Sequence, residues 1–180
     1  MWSVLLMGTM AILSGVDPVI PPPPALPLIQ PGGQPEGQAD VPVGLTTTES
    51  ETISRQKSPK GRVEAALKLA ALRIGNGLML SQQSQYQSAA QQLETFANLL
   101  SYADGVARSI PNEKRNDRET CLKKIEQTIF RQTPRFESII RDLPLEYQES
   151  NAPFAERVKR IRLQAINDLL GGGAAIRVPE

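Results

Sequence analysis

Tyr86 to Ile110 read YQSAAQQLETFANLLSYADGVARSI. The larger apolar residues are Tyr86, Ala89, Leu93, Phe96, Leu100, Ala103, Ala107 and Ile110, in alternating steps of three and four. That spacing aligns them along one stripe of an α-helix. Gln, Ser, Glu, Asn and Asp occupy the other face, so the stripe must be buried against a neighbour while the rest meets water. A lone helix of this kind is marginal in water, because packing of the apolar face supplies most helical stability. The flanking sequence is therefore read as what this helix packs on.

Upstream, Ser58-Pro59 is a helix opening, with serine as cap and proline at the first helical position. Val63, Ala66, Leu67, Ala70, Ile74 and Leu78 follow at helical spacing, with Leu69, Leu72 and Leu80 widening the face. Gly75-Asn76-Gly77 weakens this helix or admits a close neighbour. Ser81 to Gln85 is read as the turn. Downstream, Pro111 stops the central helix, and a third is predicted from about Arg118. Leu122, Ile125, Ile129, Phe136, Ile139 and Leu143 form its stripe, with Phe130 and Ile140 flanking. Pro134 lies inside it, and because the stripe keeps its phase a kink is expected there, not a break. LEYQESNAP reads as a loop or a single turn, Pro153 as the opening of a last helix, and Phe154, Val158, Ile161, Ala165, Ile166 and Leu169 as its buried face. Gly171-Gly172-Gly173 is the stop. The fold class expected is all-α, an up-down four-helix bundle over residues 59–173, with 174–180 as a tail.

Residues 1–58 cannot be read as part of that core. Val4 to Leu13 form an apolar run too short to span a bilayer, which takes about 20 residues. Its length suits a signal peptide over residues 1–16, although no Lys or Arg precedes it. Leu13-Ser14-Gly15 resembles a lipobox, but Val16 stands where the acylated cysteine would be. Residues 17–58 are dense in Pro and Gly and then polar, and read as a disordered spacer. Export to the periplasm or beyond is the compartment expected.

The 180 residues carry Lys+Arg 20 against Asp+Glu 19. Residues 1–58 hold two basic and five acidic groups, net −3, leaving 18 against 14, net +4, in the remainder. That excess is too mild for a nucleic-acid partner. The sequence contains no histidine and one cysteine, Cys121. Nucleophile pairs that rely on histidine and the Glu-x-x-His ligands of di-iron bundles are thereby excluded, and one thiol cannot build a zinc site. No cofactor, metal or small-molecule substrate is expected. Glu64, Glu94, Glu126 and Glu137 are the carboxylates that facing helices could pair, yet helix charges are usually a solvated face. Cys121 reads as a small buried hydrophobe in preference to an interchain thiol.

The segments Ala66 to Ile74 (ALKLAALRI), Leu122 to Arg131 (LKKIEQTIFR) with Gln132, Leu143-Pro144 with Glu146, and Ala165 to Gly172 (AINDLLGG) together resemble uncharacterised exported helical proteins of acidobacterial type. The resemblance covers roughly residues 59–173. It implies an exported helical domain with no assigned activity, and it transfers no functional residue. Pro134 departs from the uninterrupted third helix it implies.

Arg157, Lys159, Arg160 and Arg162 straddle the last apolar stripe and are the candidate anion contacts. Snorkelling beside a buried face is the plainer reading. Glu156 is placed to pair with Arg160 at i, i+4. The function expected is a non-catalytic envelope module that binds another protein or a copy of itself. The alternative is an anionic polymer or lipid surface met by those four residues.

Overall fold

The computed structural model describes residues 42–171. They form α1 (Thr47–Ser54), α2 (Pro59–Gln82), α3 (Tyr86–Arg108), a short 3-10 turn (Asn112–Lys114), α4 (Arg115–Asp142) and α5 (Leu145–Leu169). No strand occurs among the described residues, so the fold is all-α. Among the described residues there are five helices, not the four expected. The expected signal peptide, most of the spacer and the 174–180 tail lie outside the described residues.

The additional helix corrects the expected domain boundary at residue 59. Thr46 caps α1: its hydroxyl accepts from Glu49 N–H at 3.3 Å, and the Glu49 carboxylate accepts from Thr46 N–H at 2.9 Å. This reciprocal capping satisfies two backbone donors that a helix start leaves open. Ile53 is fully buried in the common core, and Leu45 packs at its edge. Glu49 also pairs with Arg73 of α2. At Gly44, with φ +91°, a Cβ would lie 2.9 Å from Thr95 Oγ1, so the left-handed turn and the close approach to α3 both require glycine. Composition argued against order here because eight helical residues with one large aliphatic give no period to read.

The Ser58 hydroxyl accepts from Gly61 N–H at 3.1 Å and Pro59 opens α2, as the sequence predicts. The helix passes through Gly75-Asn76-Gly77 without interruption. Gly77 is the point of close approach: a Cβ there would stand 3.3 Å from both Gln92 Cβ and Ile139 Cδ1. Ser84 turns the chain at φ +58°. In α3, every residue of the stripe is buried except Tyr86, which is half-buried. Ala97, Leu99, Val106, Thr95 and Asp104 are buried too, because α3 packs against α2, α4 and α5 together.

The helix α4 is one element across Pro134, in phase as expected. Its successor α5 starts eight residues earlier than predicted, at Leu145 and not Pro153. Pro144 presets the entry, Gln148 Nε2 donates to the Leu143 carbonyl at 2.7 Å, and buried Asn151 donates to Tyr147 O at 2.8 Å. Those bonds hold the LEYQESNAP turn helical, with Pro153 tolerated inside. On α5, Val158, Ile161 and Ala165 are buried as expected, whereas Phe154 and Ile166 are half-buried and Leu169 is exposed.

Side-chain pairs give the directions. Arg73 meets Gln92, and Arg162 meets Glu126, so α2/α3 and α4/α5 are antiparallel hairpins. Glu64 near the start of α2 pairs with Lys124 near the start of α4. Asn98 meets Arg157 and Arg108 meets Asp168, one pair further along each helix. The neighbours α2/α4 and α3/α5 are therefore parallel. Around the core the order is α2, α3, α5, α4, with α3 and α4 touching across the diagonal through Phe96 and Phe136, ring centroids 5.8 Å apart.

Candidate functional site

The four candidate anion contacts do not converge. Arg157 donates to Asn98 Oδ1 of α3 at 3.0 Å and lies 5.6 Å from the centre of the Phe154 ring. Arg162 turns the other way, to Glu126 of α4 at 3.3 Å, with its guanidinium 5.2 Å from the centre of the Phe130 ring. Lys159 pairs with Glu156 at 2.8 Å, so Glu156 takes Lys159 and not Arg160, which remains exposed. Three of the four cations are thus engaged with protein partners, Arg157 and Arg162 on opposite sides of α5.

Lys159 and Arg162 instead help to line a groove of about 640 Å³ between α4 and α5. Its floor is apolar, made by Ile129, Phe136, Ile140, Ala155 and Val158. Its rim is charged with both signs, by Glu137, Arg141, Lys159 and Arg162. The volume lies within the usual range of roughly 300–1,000 Å³ for binding clefts. An open apolar trough with a polar edge favours an apolar side chain or chain segment whose flanks carry charge.

Two interior prolines lie along the same hairpin. Pro134 lies nine residues before Leu143, and Pro153 nine residues after Pro144. In an antiparallel hairpin turning at 143–144 the two prolines stand at the same height. Each lacks the N–H that would bond the carbonyl four residues back, Phe130 or Glu149, and each ring crowds that carbonyl. Interior prolines bend helices, so the hairpin is least able to close where both occur. The small side chain of Ala155 leaves further room at that level. Pro134 and Pro153 are equally spaced about Leu143-Pro144 and fall within the span of the groove, although neither lines it.

The carboxylates do not assemble into a pair. Glu64 is engaged by Lys124, whose hydrogen bond holds it below the ordinary carboxylate value, Glu126 is engaged by Arg162, Glu137 sits on the groove rim, and Glu94 is exposed on α3. Among the described residues no cluster of three or more His, Cys, Asp or Glu is placed to hold a metal. Cys121 is buried, and burial pushes its thiol up, away from the reactive thiolate. Arg108 bridges Asp104 at 2.8 Å and Asp168 at 2.5 Å, tying α3 to α5, and the Asp104 hydrogen bond raises its already high pKa. No described helix is long and apolar enough to cross a membrane.

Comparison with known proteins returned no match, whether to family models, to curated proteins or to solved structures. The functional reading therefore rests on the geometry.

Proposed function

We propose that this chain is a non-catalytic binding module whose recognition surface is the α4–α5 groove. The observation that carries the reading is the pairing of an apolar floor with a two-signed rim along the α4–α5 hairpin. Buried apolar anchors surrounded by polar edges are the usual energetic anatomy of a protein contact. In this reading α2 to α5 form the bundle proper, with α1 strapped over α2. Export is part of the proposal, resting on the Val4 to Leu13 run, as is membership of the acidobacterial-type group. The anionic-surface alternative is the weaker one, because Arg157 and Arg162 are held by Asn98 and Glu126.

A photo-crosslinking side chain at Glu137, compared in cells with the same probe at Lys68 on α2, tests the groove. A discrete protein adduct is expected from position 137 and none from 68. Equal labelling at the two positions, or none at 137, overturns the groove as the recognition surface.

A further inference from the structure

Beside the groove stands an exposed aromatic side chain. Phe130 follows the buried floor residue Ile129 and is itself 61% exposed, a large aromatic ring left in solvent. Arg162, which lines the groove, also stacks on that ring, so knob and groove share a wall. The same chain thus presents an apolar hole and, next to it, an apolar knob. Its rim presents Glu137 together with Arg141 and Lys159, so two copies set face to face bring unlike charges within reach of each other. A two-fold pairing uses the same patch twice and needs that self-complementarity, whereas a foreign partner would require neither the knob nor both signs.

Resting on the groove reading above, we infer that the occupant of the α4–α5 groove is a second copy of this chain, with Phe130 of each copy seated in the groove of the other. A two-fold pairing closes at two copies, and dissociation on the order of micromolar is expected.

The test is sedimentation of the full chain across a concentration series, with two variants. Phe130→Ser removes the knob and Ala155→Trp fills the hole. Each is expected to raise the dissociation constant at least about tenfold. Because Phe130 is exposed, its variant keeps the wild-type thermal midpoint at concentrations below the dissociation constant of the dimer. Mixing the two variants restores one of the two knob-and-hole contacts, so a heterodimer tighter than either homodimer is expected. A role in folding alone would not produce that gain. A photo-crosslinker at position 130 of isotopically labelled chain is expected to label residues 129–162 of an unlabelled copy, a readout that holds even if Ala155→Trp does not fold.

A chain that stays monomeric to about 100 µM overturns the proposal, as does an unchanged constant for Phe130→Ser. Labelling outside the groove, a mixture with no heterodimer, or oligomers that grow past two copies also overturn it. Monomeric wild type with adducts still formed at position 137 in cells refutes the second copy and leaves the groove reading standing.

Discussion

At Phe96 the stripe of α3 meets Phe136 across the core. Emptying a buried aromatic site generally costs about 3–5 kcal/mol, so Phe96→Ala should bring the domain near the edge of folding. Urea unfolding against Gln87→Ala, an exposed position of the same helix, checks it, and coincident midpoints would refute a closed core. Gln92 is unsuitable as that control, because it is half-buried and accepts from Arg73. The glycines of α2 separate in the same manner. Gly75 faces open space, so Gly75→Ala should stabilise by up to about 1 kcal/mol. At Gly77 a methyl must displace Ile139 Cδ1, which consumes some or all of that gain. Thermal midpoints ranking Gly77→Ala above Gly75→Ala would contradict the packing described. The stripe itself was legible because a period of three and four survives any tertiary context. Buried Thr95 and Asp104 were not, since a polar side chain inside a three-neighbour contact leaves no apolar trace.

Among the elements, α1 depends on few groups, which makes it sensitive to acid. Burial pushes the Glu49 carboxyl upward, but hydrogen bonds from Thr46 and the Arg73 charge outweigh it and hold it below its ordinary 4.5. A depressed folded value means that Glu49 stabilises the fold above the unfolded pKa and that this contribution disappears as pH falls through the folded one. Glu49→Gln should therefore be less stable than wild type at pH 7, and the gap should shrink as pH falls through the folded value. A gap in urea midpoint that persists in acid would rule out the ion pair as its source. In α4 the opposite sign is expected. Pro134→Ala restores a backbone donor and should stabilise by about 1–3 kcal/mol. Closing the hairpin at that level should also weaken self-association, measured by sedimentation alongside unfolding. The long periodic helices were readable from sequence, whereas α1 and the first turns of α5 were not. Both are held by capping and side-chain hydrogen bonds, at Thr46, Glu49, Gln148 and Asn151, which leave no hydrophobic period.

For the whole molecule, the fold class could be read from four stripes, but the order of helices around the core could not. Periodicity states which face is buried and is silent on which neighbour covers it. The groove was half legible: Phe130 and Ile140 stood out as flanks, while Arg157 drew attention to a face that α3 already occupies. The expected export has its own check, since a signal over residues 1–16 should leave a mature chain beginning within a few residues of Gly15. Amino-terminal sequencing that recovers Met1 on the cytoplasmic protein would end that reading. The ring order has a kinetic consequence. Contacts within α2/α3 and α4/α5 close short loops, whereas α2/α4 and α3/α5 join helices separated by a whole helix, and distant contacts form at greater entropic cost. Two hairpins should thus collapse separately and dock late, with Arg108 to Asp168 and Glu64 to Lys124 among the last ties made. Since α1 packs on α2 alone, its amides should exchange with solvent first, long before those of α3, which three neighbours hold at once.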